Sequence, residues 1–261
     1  MSSAARLHRR RRTTNNRTTV DGTCYRRFFR AIHLRDEGIY GKIKKNENKG
    51  DSAMIEREKM YAGKIYDPFT EGMPEDRAKA HRLCKLYNDT FDEDAEERAK
   101  ILAELMPHNG RDVYLQGPIH FDFGYNIAMG DGSYANFNFT VIDEGRVTIG
   151  KNVFIGPNVT LATAIHPLCW EDRNAFFNEK TGAVTNLEYT GSITIGDNCW
   201  IAAKVTICGP VTIGEGSVIG AGAVVTRDIP PHVIAVGNPC RVLREITEAD
   251  RLANHPERFA E

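Results

Sequence analysis

Ile195-Gly196-Asp197-Asn198-Cys199-Trp200-Ile201-Ala202-Ala203-Lys204-Val205-Thr206-Ile207-Cys208-Gly209-Pro210-Val211-Thr212-Ile213-Gly214-Glu215-Gly216-Ser217-Val218-Ile219-Gly220-Ala221-Gly222-Ala223-Val224-Val225 is the stretch whose spacing sets the fold. An aliphatic residue returns at every sixth position, at Ile195, Ile201, Ile207, Ile213, Ile219 and Val225, and Gly196, Ala202, Gly214, Gly220 and Thr226 follow five of these anchors. An α-helix repeats about every 3.6 residues and a half-buried strand about every two. Neither produces a period of six. A parallel β-helix does: one short strand and one turn make a flat face, three faces complete a triangular coil, and each anchor stacks on the one three repeats away. The small residue after the anchor goes where the backbone turns a corner too tight for a larger side chain.

Working outward, an earlier block runs Met129-Gly130, Ala135, Val141 and then slips by two residues to Ile149-Gly150, Ile155-Gly156 and Leu161-Ala162. The fold class is therefore mainly β, a hexapeptide solenoid expected over 113–245. It is interrupted once, over 167–194, by a loop carrying Trp170, Phe176 and Phe177. A stacked coil needs no such excursion for its stability, so the loop reads as the wall of an active site, and its aromatic content favours packing.

Before the coil, 53–112 has helical periodicity and reads as a small helical cap. Ala80, Leu83, Cys84 and Tyr87 form one stripe, and Ala95, Ala99, Leu102 and Met106 another. Pro74 suits a first helical turn, Thr90-x-x-Glu93 reads as a capping box, and Pro107 stops the second helix. A short helix ends near Ala62-Gly63, ahead of the turn Tyr66-Asp67-Pro68. The last segment, 246–261, reads as a C-terminal tail.

Residues 1–52 gather Arg6, Arg9 to Arg12, Arg17, Arg26, Arg27 and Arg30 among Ser, Thr and Asn, without apolar periodicity. Three readings stay open. The segment is a disordered tail or a misassigned start with Met54 opening the domain, a mitochondrial targeting sequence, or a nonspecific polyanion binder. Asp21 and the Arg9 to Arg12 cluster count against targeting.

Over the whole chain, 34 Lys and Arg nearly balance 35 Asp and Glu, so no nucleic-acid-binding field is expected. No apolar run approaches the roughly 18 residues that cross a bilayer. Cys24, Cys84, Cys169, Cys199, Cys208 and Cys240 have no metal-ligand spacing and read as free thiols of a reducing compartment, which places the protein in the cytoplasm.

Four motifs carry a family resemblance: Ser133-Tyr134-Ala135-Asn136-Phe137-Asn138, Val141-Ile142-Asp143, Ala164-Ile165-His166-Pro167 and Gly196-Asp197-Asn198-Cys199-Trp200-Ile201. They resemble the maltose and galactoside acetyltransferases. The terminal motifs Gly220 to Pro230 and Gly237-Asn238-Pro239-Cys240-Arg241-Val242 are similar to that family too, and Met60 to Asp67 resembles its helical cap. The resemblance implies a left-handed coil, transfer of acetyl from acetyl-CoA to a sugar hydroxyl, and a homotrimer whose sites lie between neighbouring coils.

A sugar hydroxyl is a poor nucleophile at neutral pH, and imidazole is the base suited to its proton. His166 fits that role. The resemblance implies Glu188 as the carboxylate orienting His166, and the Ala203 backbone N–H as the oxyanion donor. For the acceptor it implies Asp67, Asp122, Asn136 and Glu144. Asp122 stands where the galactoside pattern has serine and Glu144 where it has aspartate, and Asp143 either serves in place of Glu144 or caps a turn. For coenzyme A it implies Trp200, Ala203, Ala221 and Thr226 along the pantetheine groove, with Arg227, Arg241 and Arg244 on the phosphates.

Other functions remain in view. The γ-type carbonic anhydrases share the coil but need three zinc-binding histidines, and no closely spaced histidine pair occurs here, so no metal is expected. A non-enzymatic trimeric scaffold has no use for His166-Pro167. A xenobiotic or serine acetyltransferase of the same fold is the nearest alternative, and the cap with Asp67 argues for a sugar.

Overall fold

From Tyr114 to Val236 the chain winds repeatedly through three parallel sheets. The computed structural model describes residues 54–70 and 72–259, and the basic segment 1–52, with its three readings, lies outside them. The first face stacks Tyr114–Leu115, Tyr134–Ala135, Phe154–Ile155, Trp200–Ile201, Val218–Ile219 and Val233–Val236. The second stacks Ile119–Phe121, Phe139–Ile142, Thr160–Ala162, Thr206–Cys208 and Val224–Val225, and the third Ile127–Met129, Val147–Ile149, Ile193–Ile195 and Val211–Ile213. The chain visits the faces in that order on every turn, as a hexapeptide coil requires.

The anchors stack as their spacing demands. Ile195 pairs with Ile213, Ile201 with Ile219 and Ile207 with Val225, and none of the six is more than 1% exposed. Met129 pairs with Ile149, Ala135 with Ile155 and Val141 with Leu161, so the two-residue slip is absorbed without loss of register. Across the loop Ile149 still meets Ile195 and Leu161 still meets Ile207. Each buried aliphatic anchor contributes roughly 1.5–3 kcal/mol relative to exposure, so the inward column is the main support of the coil. The corners impose the small residues: a Cβ on Gly196 would lie 2.6 Å from the Glu215 backbone nitrogen.

Extra residues accumulate at one corner. Between the second and third faces the first three turns spend residues 122–126, 143–146 and 163–192, while the next spends only Gly209 and Pro210. The two-residue slip and the long loop are thus successive excursions at the same edge of the prism. The loop is less irregular than the sequence suggests. It holds a short helix, Trp170–Arg173, and an antiparallel hairpin of Phe176–Asn178 with Ala183–Thr185. Its aromatic residues do not all pack inward: Trp170 and Phe177 are 60% and 62% exposed, while Phe176, on the opposite side of its strand, is partly buried.

At the C-terminal end the coil stops earlier than expected. Gly237, at φ 95°, reverses the chain, and Arg241–Glu245 runs back antiparallel to Val233–Val236.

Among the described residues three cap helices precede the coil: α1 (Glu56–Tyr61), α2 (Met73–Asn88) and α3 (Ala95–Leu105). Pro74 sits in the first turn of α2, whose Ala80, Cys84 and Tyr87 are buried. Of the expected stripe, Leu102 is partly buried against the core and Met106, just past α3, is buried, whereas Ala95 and Ala99 are exposed; Arg98, Ile101 and Leu105 complete the inward face. Arg98 lies over the Tyr87 ring, 5.0 Å from its centroid, and donates to Thr90 Oγ1. Thr90 therefore does not cap α3; its hydroxyl donates to Tyr87 O at the end of α2, and Asp94 is the N-cap. No helix among the described residues is long and apolar enough to cross a membrane, and the described cysteines Cys84, Cys169, Cys199, Cys208 and Cys240 are free.

Candidate active site

The excursions at the second corner bring His166 and its neighbours together. The loop leaves through Ala164–Ile165 and returns through Tyr189–Thr190, and these strands pair antiparallel with Ile165 opposite Tyr189. One step further along that ladder His166 faces Glu188. His166 Nδ1 lies 3.8 Å from Glu188 Oε2, with the imidazole half exposed and the carboxylate nearly buried. That separation is an ion-pair distance rather than a hydrogen bond, and such contacts commonly tighten only when substrate binds.

The cap reaches into the same corner. Tyr66 and Glu188 form an antiparallel bridge, and the Tyr66 hydroxyl donates to Glu188 Oε1 at 2.7 Å. Asp67 is buried, and its carboxylate is occupied. Oδ1 accepts from Phe69 N at 3.0 Å and Thr185 Oγ1 at 2.7 Å, and Oδ2 accepts from Asn178 Nδ2 at 3.2 Å. Thr190 Oγ1 also donates to Met60 O at 2.6 Å. Segment 60–67 thereby stitches the loop to the cap.

The two-residue slip supplies the buried carboxyls Asp143 and Glu144. Asp143 Oδ1 accepts from Phe123 N at 2.8 Å, so it caps the excursion of the turn before. Glu144 Oε1 is 3.6 Å from Arg77 Nη1. Among the described residues Asp143 Oδ2 and Glu144 Oε2 have no hydrogen-bond partner. Burial raises the Glu144 pKa to about 9, with the charges of Glu188 and Asp122 adding to it. Burial likewise lifts Asp143 to about 7. The Arg77 charge opposes this shift without outweighing burial, so the neutral form of Glu144, which donates as well as accepts, is favoured relative to an ordinary carboxylate. Asp122 Oδ1 lies 3.3 Å from His81 Nε2, and both line a cavity of about 460 Å³ between α2 and the second face, with His120 and Thr140.

Other expected residues lie elsewhere. Asn136, Ala203 and Ala221 stand at the corner between the first and second faces, with Asn136 Oδ1 accepting from Phe137 N. Neighbouring amides there are used: Ala202 N donates to Ile219 O, Lys204 N to Pro157 O and Gly222 N to Ala203 O. The N–H groups of Ala203 and Ala221 donate to nothing among the described residues. They occupy equivalent places in successive turns, about 4.8 Å apart in a parallel sheet. Two aligned amides are thus left free to donate to a group from outside the chain.

Trp200 is exposed on the outside of the first face, in register with Phe154. Thr226 and Arg227 are exposed just past Val224–Val225. Arg241 and Arg244 are exposed on the reversed last strand; Arg241 Nη1 donates to Cys240 O, and Arg244 is held by Asp250 and Glu245 O. Tyr66 and Arg77 were not singled out from sequence. Their partners Glu188 and Glu144 lie far along the chain, and no local spacing signals such pairs.

A family profile described as the maltose acetyltransferase hexapeptide capping motif matches residues 59–110, and one of six bacterial transferase hexapeptides matches 192–227. The galactoside O-acetyltransferase of Escherichia coli is 43% identical over 194 residues, covering 74% of this chain and 91% of that one. The crystal structure of a maltose O-acetyltransferase from Clostridium difficile 630 superposes with a TM-score of 0.68 at 40% identity, over 76% of this chain and 100% of the other. A galactoside acetyltransferase in complex with coenzyme A gives 0.68 at 39%, over 80% and 96%.

Proposed function

Because this chain belongs to the maltose and galactoside O-acetyltransferase family of hexapeptide-repeat enzymes, we propose that it moves acetyl from acetyl-CoA to a sugar hydroxyl, with His166 as general base. One observation carries this reading: a half-exposed imidazole backed by a buried carboxylate, at the corner where Asp67, Asp122 and Glu144 also gather.

His166 takes the hydroxyl proton as the sugar oxygen attacks the thioester carbonyl carbon. Glu188 stabilises the imidazolium that results. The negative charge that develops on the carbonyl oxygen is met by the Ala203 N–H, an amide on a rigid turn that need not reorganise. When the carbon–sulfur bond breaks, the imidazolium returns its proton to the departing thiolate. Glu144, whose burial favours the neutral acid, gives the acceptor a donor as well as an acceptor, and Asp122 supplies a further acceptor. Trp200 and the Ala221 amide suit the pantetheine arm, and Arg227, Arg241 and Arg244 suit its phosphates.

His166 and Ala203 stand at different corners of one coil, so the reaction needs a second chain to bring such corners together. We therefore take the active assembly to be a homotrimer, which the exposed Trp170 and Phe177 of the loop support. The free thiols suit a reducing compartment, and we place the reaction in the cytoplasm.

Acetyl-CoA-dependent thiol release, screened across sugars, nucleosides, amino acids and aromatic alcohols, tests the acceptor class. Turnover with glucosides, maltose or galactosides is expected. Release confined to amino acids or aromatic alcohols would replace the sugar with that class.

A further inference from the structure

We propose that Tyr66 is a positioning residue for acetyl transfer: its hydroxyl, carried by the cap, fixes the Glu188 carboxylate against His166. This role rests on His166 being the base. Three hydrogen bonds join Tyr66 to Glu188. Tyr66 N donates to Glu188 O at 2.9 Å, Glu188 N donates back to Tyr66 O at 3.3 Å, and the Tyr66 hydroxyl donates to Oε1 at 2.7 Å. The carboxylate is thus divided, Oε1 engaged by Tyr66 and Oε2 facing His166 Nδ1 at 3.8 Å.

Connectivity explains why such a clamp is needed. Glu188 lies near the end of the long excursion 163–192, far along the chain from His166, and an unheld side chain on a loop keeps its rotamer freedom. The backbone bridge sets where Glu188 sits, while the phenol sets where its carboxylate points. Tyr66 is 1% exposed and Glu188 4% exposed, so no water competes freely for Oε1. A buried carboxylate oxygen left without a donor is costly, and a hydroxyl-to-carboxylate bond is among the stronger kinds. Burial and the charges of Glu144 and Glu188 push the Tyr66 phenol far above its ordinary range, so it remains protonated and donating throughout the working pH range. Arg77 and Glu144 complete the charged surroundings of the pair.

Removal of the hydroxyl alone leaves the loop in place. Both backbone bonds to Glu188 survive in Tyr66→Phe, as do Thr190 to Met60 and Thr185 and Asn178 to Asp67. A double-mutant cycle of Tyr66→Phe and Glu188→Gln therefore tests the role, with kcat and KM for acetyl-CoA measured both with a sugar acceptor and as thiol release to water. Tyr66→Phe should lower kcat roughly tenfold, a part of the usual worth of general-base catalysis, and leave KM for acetyl-CoA unchanged. In the Glu188→Gln background the same change should cost less than about twofold, because the hydroxyl acts through the carboxylate. Equal losses in both backgrounds, or an unchanged kcat in Tyr66→Phe alone, would overturn the assignment. If no sugar is acetylated, the acceptor proposal fails, while thiol release to water still reads the Tyr66–Glu188 coupling.

Discussion

Both carboxylate oxygens of Asp250 lie 2.7 Å from the Arg244 guanidinium, Oδ1 from Nη2 and Oδ2 from Nη1. That bidentate pairing is the geometry a phosphate would use, so a coenzyme phosphate at Arg244, as proposed, would compete with a carboxylate supplied by the chain itself. The Arg244 hydrogen bonds, with that from Thr247 N, hold Asp250 well below the usual carboxylate range, so it does not release the arginine near neutral pH. Asp250→Asn should therefore lower KM for acetyl-CoA by roughly two- to fivefold, the modest scale of an exposed ion pair. Arg241→Ala and Arg244→Ala should raise it while largely sparing kcat, since phosphate contacts remote from the thioester bind ground and transition states alike. A raised KM in Asp250→Asn would show that the carboxylate orients Arg244 instead of competing for it.

Glu144 and Asp143 make stability depend on pH. In the folded chain both hold protons that an unfolded chain has lost, so folding binds protons and stability falls as pH rises. The contribution is complete below about pH 4, the ordinary carboxylate range. It is lost as pH climbs through about 7 for Asp143 and about 9 for Glu144. Glu144→Gln is neutral at every pH and should flatten the upper part of this decline. Its melting temperature between about pH 7 and pH 9.5 should fall less than that of the unsubstituted protein. Parallel melting curves would mean that Glu144 is already ionised at neutral pH.

The coil was legible because its register is written directly in the spacing: Ile195, Ile201 and Ile207 meet Ile213, Ile219 and Val225. His166, Glu188 and the acidic residues could be named from motif resemblance. The resemblance also implied that Glu188 meets His166, but not how the fold brings them together, which depends on successive turns making their excursions at one edge. The slip at Asp143-Glu144 was visible as a break in period, but only stacking shows that it lies beneath the root of the loop. The inward face of α3 was legible only in part, at Leu102 and Met106, because apolar counting passes over Arg98, whose guanidinium is buried on Tyr87. Tyr66 escaped notice because its partner is 122 residues away.

His166→Ala should lower kcat by roughly 10²- to 10⁴-fold, the usual worth of general-base catalysis. The affinity for coenzyme A should hardly change, because Trp200, Ala221 and the arginines stand on other parts of the coil. Kinetics with saturating acetyl-CoA, together with calorimetric titration of coenzyme A, separate the two effects. A near-normal kcat would assign the proton to another residue or to water.

The placement of the site residues predicts that subunits can rescue one another. Asn136 and Ala203 lie at the corner between the first and second faces, and His166 leaves from the corner between the second and third. The strand of three or four residues between them, at about 3.3 Å each, keeps these corners at least roughly 10 Å apart. A base and an oxyanion donor must both lie within about 3 Å of the reacting groups. No single coil can therefore supply both to one acetyl group, whereas adjacent coils of a closed ring can. The Asn136→Ala and His166→Ala proteins should each be poorly active. When the two are unfolded together and refolded as a mixture, some sites would combine an intact Asn136 corner from one chain with an intact His166 from the other. Activity well above the sum of the separately refolded parents is the expected result. A mixture no more active than its parents, with subunit exchange confirmed by mass spectrometry, would place the whole site within one chain.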